Sequence, residues 1–130
     1  MKTILVDAVW CFVIEKEGKF KVFKEMYDLL ETYSNKKLIL TGANDEQIIK
    51  FGLDGMPYEF FTLKHNPEKT DPQYYKILLD KYNLKKEEVI YFEHSMDAVK
   101  SAQSVGINTY YYDNDKKDLD SLKKFIDENI

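Results

Sequence analysis

Five short apolar runs recur along this chain, at residues 2–6, 38–40, 59–63, 89–92 and 107–112, with stretches of helical spacing between them. Runs of that length, bounded by turn residues, are strands of a sheet buried on both faces. The segments between them carry apolar residues at intervals of three and four. Phe23, Met26, Tyr27 and Leu30 share one face of a helix ending near Ser34 and Asn35, and residues 45–51 form a shorter helix stopped by Gly52. Asp71 caps a third helix that Pro72 opens, with Tyr75, Leu78, Leu79 and Tyr82 along its apolar face. Ser95 caps a fourth running to Val105, Gly106 marks its left-handed exit, and residues 119–128 form the last. Strands alternating with helices predict an α/β chain in three layers, a mostly parallel sheet covered by helices on both faces. A length of 130 residues predicts one domain, 1–130.

One segment breaks the alternation. Residues 12–22 alternate polar and apolar about the turn Glu15-Lys16-Glu17-Gly18, which predicts a small hairpin, a flap beside the end of the first strand.

Composition removes several functions. Apolar residues make up 44% of the chain and aromatics 15%, too many for disorder, and no apolar stretch approaches the ~18 residues a membrane helix needs. The apolar run at the amino end is cut by Asp7 before it reaches the length of a signal peptide's core, so the expected location is the cytoplasm. A lone cysteine, Cys11, permits no internal disulfide and reads as a buried structural thiol in a reducing compartment. The net charge is −4, and the nineteen cations are scattered without a basic stripe, so neither nucleic acid nor membrane is an expected partner. All nineteen are lysine. Any bound anion is therefore held by ammonium groups, backbone N–H groups or a metal, never by a guanidinium fork.

In sheets of this kind ligands bind beyond the carboxyl ends of the strands. Asp7 follows the first strand, Thr41 and Gly42 the second, and Glu93 and His94 the fourth, while Lys69 precedes the Asp71 helix. Taken singly, each has a plainer role: a strand-terminal Asp and a Thr-Gly pair are ordinary turn formers. Lys69 is harder to dismiss, because a cation beside the positive end of a helix is disfavoured by roughly 0.3–1 kcal/mol. Asp97, in the first turn of the Ser95 helix, is where an acid is favoured and needs no other role.

Taken together, these residues carry a resemblance to the haloacid dehalogenase (HAD) superfamily of phosphatases and related hydrolases. The stretch ILVDAV resembles the strand that ends in a nucleophilic Asp, and LILTGA the strand that ends in a phosphate-binding Thr. EKTDPQYYKILLDKYNLKKEEVIYF is similar to the third motif, with its Lys ahead of Asp-Pro and a Tyr-bearing helix. EHSMDAVKSAQSVGI runs in step with the fourth. The resemblance implies a Rossmann-like sheet in a capless, HAD-like single domain, and phosphate-ester hydrolysis. Asp7 would be the nucleophile, with Thr41, Gly42 and Lys69 on the phosphate, and Asp7 and Glu93 on Mg2+. The partner would be a small phosphorylated molecule or a phosphoprotein.

The chain departs from the pattern at three places. Val9 stands where the family has a second Asp that protonates the leaving group, His94 where it has a metal-binding Asp, and Ala98 where it has a further Asp or Asn. An Asp attacking a phosphate dianion needs cations and donors around it, and a missing proton donor removes a step contributing 10²–10⁴-fold. Imidazole suits Zn2+ better than Mg2+. Five accounts follow. The chain is a weak or specialised phosphohydrolase, with His94 as substitute acid/base. Or it is an inactive member that binds an anion or a protein. A 2-haloacid dehalogenase would lean on an Arg that this chain lacks, and a receiver-like domain would want paired acids after the first strand. The last is a structural module whose tyrosines, as in Tyr110–Asp113, face a partner.

Overall fold

The computed structural model describes residues 1–130. Strands β1 (Thr3–Asp7), β4 (Lys37–Thr41), β5 (Glu59–Thr62), β6 (Val89–Glu93) and β7 (Asn108–Tyr111) form one sheet in the order β5-β4-β1-β6-β7. All four pairings are parallel, with Val6 opposite Ile39 on one side and Phe92 on the other. β2 (Val13–Lys16) and β3 (Lys19–Val22) form the separate antiparallel hairpin expected of residues 12–22.

Alternation of side chains along the central strands divides the core in two. Ile4, Val6, Ile39, Ile90 and Phe92 point to the face covered by Met26 and Leu30 of α1 (Lys24–Glu31) and Leu122 and Ile126 of α5 (Leu119–Asn129). Leu5, Leu38, Leu40 and Tyr91 point to the other, covered by Tyr74, Tyr75 and Leu78 of α3 (Pro72–Lys81) and Ala102 of α4 (Met96–Ser104). The result is a three-layer α/β domain. The short α2 (Asp45–Phe51) begins with a reciprocal cap between Asn44 and Gln47 and ends at Gly52, whose φ of 66° needs no side chain to clash.

Most element ends fall within a residue or two of expectation. α1 differs: Phe23 is its cap residue rather than its first turn, and it stops at Glu31, three residues short. β6 runs one residue further than expected, so Glu93 closes the strand instead of following it, and it is buried. Trp10, between β1 and β2, has φ of 73°. A bulky residue in the left-handed region costs on the order of 1–3 kcal/mol and persists only where its surroundings fix it. Here its N–H donates to the Val13 carbonyl at 2.7 Å.

Candidate active site

The order of strands creates the site. From β1 the chain steps outward to β4 and β5, then returns to lay β6 on the opposite side of β1. The crossovers before and after that return leave in opposite directions, so a crevice opens beyond the carboxyl ends of β1 and β6. Asp7 ends β1 and Glu93 ends β6, 2% and 1% exposed. Thr41 ends β4 and is also buried. Lys69 reaches in from the loop ahead of α3.

The two carboxylates share two cations. The Lys69 ammonium donates to Asp7 Oδ1 at 2.6 Å and to Glu93 Oε1 at 2.7 Å. His94 Nδ1 contacts Asp7 Oδ2 and lies 3.2 Å from Glu93 Oε2. Lysine bridges one pair of oxygens and imidazole the other. This explains the cation at the wrong end of a helix: two buried carboxylates outweigh the unfavourable dipole. Further donors complete the set. Asp7 Oδ2 accepts from the His94 backbone N–H at 3.3 Å and the Cys11 thiol at 3.2 Å. Glu93 accepts from the Tyr91 hydroxyl at 2.5 Å and the Ser95 N–H at 3.0 Å. Asp7 Oδ1 has Lys69 as its one hydrogen-bond partner.

Protonation follows from these contacts. Burial and the charge of Glu93 push Asp7 above the ordinary carboxylate value. Burial alone would raise Glu93 too, but Lys69 and His94 hold it well below its usual range. Burial opposes charge on Lys69, yet the two carboxylates keep it firmly protonated. Burial likewise disfavours charge on His94, and its hydrogen bonds to Asp7 and Glu93 overcome this, raising its pKa to about 10. At neutral pH His94 is therefore a fixed cation. An acid/base role for His94 would therefore work from the protonated side, because the carboxylates beside it favour its charged form.

A pH dependence results. The groups facing His94 are Asp7 on β1, Glu93 on β6, Lys69, and the Cys11 thiol behind Asp7. The folded-state pKa lies above the ordinary 6.5, so the contribution of His94 to stability is complete below that value and is lost as pH rises towards about 10. Urea midpoints are expected to fall across this window in the native chain, and to fall less in His94→Gln. Parallel curves for the two would show that His94 carries no shifted proton.

The fit of Mg2+ can be judged from the same geometry. A divalent ion held by Asp7 and Glu93 together has to sit between facing oxygens, and both such places hold a cationic nitrogen. Asp7, Cys11 and His94 bring an oxygen, a sulfur and a nitrogen within 4.8 Å of one another, but burial and the adjacent carboxylates keep the Cys11 thiol protonated. The carboxylate pair expected to bind Mg2+ is of the donor type that ion takes, but it is neutralised from within, and an ion held by Asp7 and Glu93 together would have to displace Lys69 or His94 from between them.

Above this floor lies a cleft of about 350 Å³, lined also by Val9, Trp10, Thr41, Gly42, Phe51 and His65. The Thr41 hydroxyl accepts from the Ala43 N–H at 3.1 Å, leaving its own O–H to donate. The Ala43 and Asn44 N–H groups are thus not available to an anion, since the second donates to Gln47. A Cβ at Gly42 would lie 3.4 Å from His65 Nδ1 and 3.5 Å from Glu68 Oε2, two residues that line the same cleft. Tyr74 steadies the strand end by donating to the Thr41 carbonyl at 2.7 Å.

Sequence reasoning did not connect Cys11, Tyr91 and Trp10 with the site. Tyr91 had a signal, since residues two apart on a strand share a face and it precedes Glu93 by two. Cys11 had none, because its approach to Asp7 depends on the turn that follows β1.

No protein-family model matches the chain, and no curated protein matches its sequence. Solved structures do match. One is a HAD family enzyme from Bacteroides thetaiotaomicron, a variant in complex with magnesium and inorganic phosphate. It is 11% identical, with a TM-score of 0.64 over 85% of this chain and 93% of that one. An uncharacterized protein from Corynebacterium glutamicum is 15% identical, with a TM-score of 0.67 over 94% and 92%. A Thermotoga maritima protein, provisionally assigned as a beta-phosphoglucomutase, is 15% identical, with a TM-score of 0.55 over 85% of each chain. The chain has the HAD-like fold. No helix in it is long and apolar enough to cross a membrane.

Proposed function

We propose that the chain is a hydrolase of small phosphorylated molecules, with Asp7 as its nucleophile and substrates confined to those with good leaving groups. The observation that carries this reading is the asymmetry of the Asp7 carboxyl. Oδ2 is pinned by His94 and Cys11, while Oδ1 has Lys69 alone and keeps a lone pair beside an ammonium at the foot of the cleft. Oδ1 attacks phosphorus as the bond to the leaving oxygen breaks, and that oxygen departs with the electron pair. Water then cleaves the aspartyl phosphate and restores the carboxylate. Lys69 and the Thr41 hydroxyl hold the phosphoryl oxygens, and His94 keeps the floor electrically balanced. A cleft of about 350 Å³ suits a small ligand better than a folded phosphoprotein.

Val9 supplies no proton, which restricts turnover to aryl and acyl phosphates, whose leaving groups depart as stable anions. The neutralised carboxylate pair supports a reaction that needs no divalent ion. p-Nitrophenyl phosphate is expected to be hydrolysed in the presence of EDTA by the native chain and not by Asp7→Asn. Equal rates in the two, or none in either, would remove the nucleophile role.

The same Val9 favours a second reading, in which the chain binds anions without turning them over. Inorganic phosphate raising the Tm of a protein that hydrolyses nothing would select it.

A further inference from the structure

The wall of the cleft has a feature that phosphate chemistry does not use. Trp10 is the sole tryptophan of the chain, is 39% exposed, and occupies a backbone conformation that glycine would adopt without strain. Its ring is backed edge-on by Phe20 of the flap, with centroids 6.2 Å apart, and Phe20 in turn meets Phe51 of α2 at 4.7 Å. Trp10 and Phe51 line the same cleft as Asp7 and Lys69. An aromatic tier spanning the flap and α2 therefore rises from the charged floor, and its outermost ring keeps surface open to a ligand.

We propose that this tier is a subsite for the leaving group, and that the cleft selects phosphate monoesters of a planar aromatic group, stacked on Trp10 while the phosphate meets Lys69 and Thr41. The inference rests on the hydrolase reading and names its substrate class. It accounts for two things at once: a strained position filled by the largest side chain, and a site without a leaving-group acid. An aryl oxide leaves without a proton, and its ring supplies the apolar surface that an aromatic wall can bind.

Phosphonates test this without turnover, because their carbon–phosphorus bond gives attack no leaving group. With the native chain, phenylphosphonate is expected to change the fluorescence of Trp10 saturably and to bind roughly 2- to 10-fold more tightly than methylphosphonate. Calorimetry on Trp10→Gly, whose backbone fits the existing turn, is expected to show the two ligands bound alike. Equal affinities in the native chain, or a phenyl preference that survives in Trp10→Gly, would overturn the subsite while leaving the hydrolase reading intact. Failure of both phosphonates and inorganic phosphate to bind would overturn both.

Discussion

Replacing Lys69 with methionine is expected to lower the stability of the fold by about 3–5 kcal/mol, the usual cost of stripping one partner from a buried ion pair. Methionine keeps the stem of the side chain and removes the charge. Asp7 and Glu93, 2% and 1% exposed, then face each other with His94 as their remaining cation. Urea unfolding at neutral pH measures the loss. The deficit also has a predicted pH dependence. Lys69 holds Glu93 well below its ordinary value, and a depressed carboxylate contributes stability that is present above its unfolded pKa and lost as pH falls through the folded one. The native chain's advantage over the variant should therefore shrink below about pH 4.5, the ordinary value for Glu. Adding Glu93→Gln to Lys69→Met should restore part of the loss, since one of the two uncompensated charges is gone. A single variant within about 1 kcal/mol of native would mean that the ammonium does not lie between the carboxylates.

Replacing Val9 with aspartate is expected to raise the turnover of alkyl phosphates by about 10²–10⁴-fold, the contribution a positioned proton donor makes. Val9 lines the cleft two residues after Asp7, on the turn that leaves β1. An alkoxide leaves far less readily than an aryl oxide, so the absent donor penalises alkyl esters most. A carboxyl at that place would stand near two others, and like charges together with partial burial raise its pKa towards the range a general acid needs. Aryl phosphates should gain much less, because their leaving groups already depart without help. The check is the ratio of kcat values for an alkyl and an aryl ester in the two proteins. An unchanged ratio in a well-folded Val9→Asp chain would remove the explanation of the proposed restriction to aryl and acyl esters, and with it the reason for expecting an aryl ester.

The periodicity of apolar residues carries most of the architecture. Runs such as residues 38–40 and 89–92 can be buried on both faces only within a sheet, and Asp71-Pro72 fixes the start of α3 because proline costs nothing where the first N–H has no partner. The start of α1 was less legible: Phe23 is apolar enough to look like part of the helical face, yet its extended backbone makes it the cap. The candidate residues were legible as separate polar punctuation at strand ends. Their partners were not, because Lys69 lies 62 positions from Asp7 and 24 from Glu93 in sequence.

The sequence by itself determined a three-layer α/β chain, a flap after the first strand, the absence of arginine from any anion site, and an apolar Val9 two positions after Asp7. Those are properties of residue type and spacing, which local geometry translates directly into strands, helices and turns. Only the tertiary structure decided that Lys69 and His94 each bridge Asp7 and Glu93, that imidazole lies where a shared divalent ion would have to sit, and that Trp10 stands over the same cleft. Electrostatic coupling acts over a few ångströms through space, and the crevice between β1 and β6 is where strands distant in the chain come within that range.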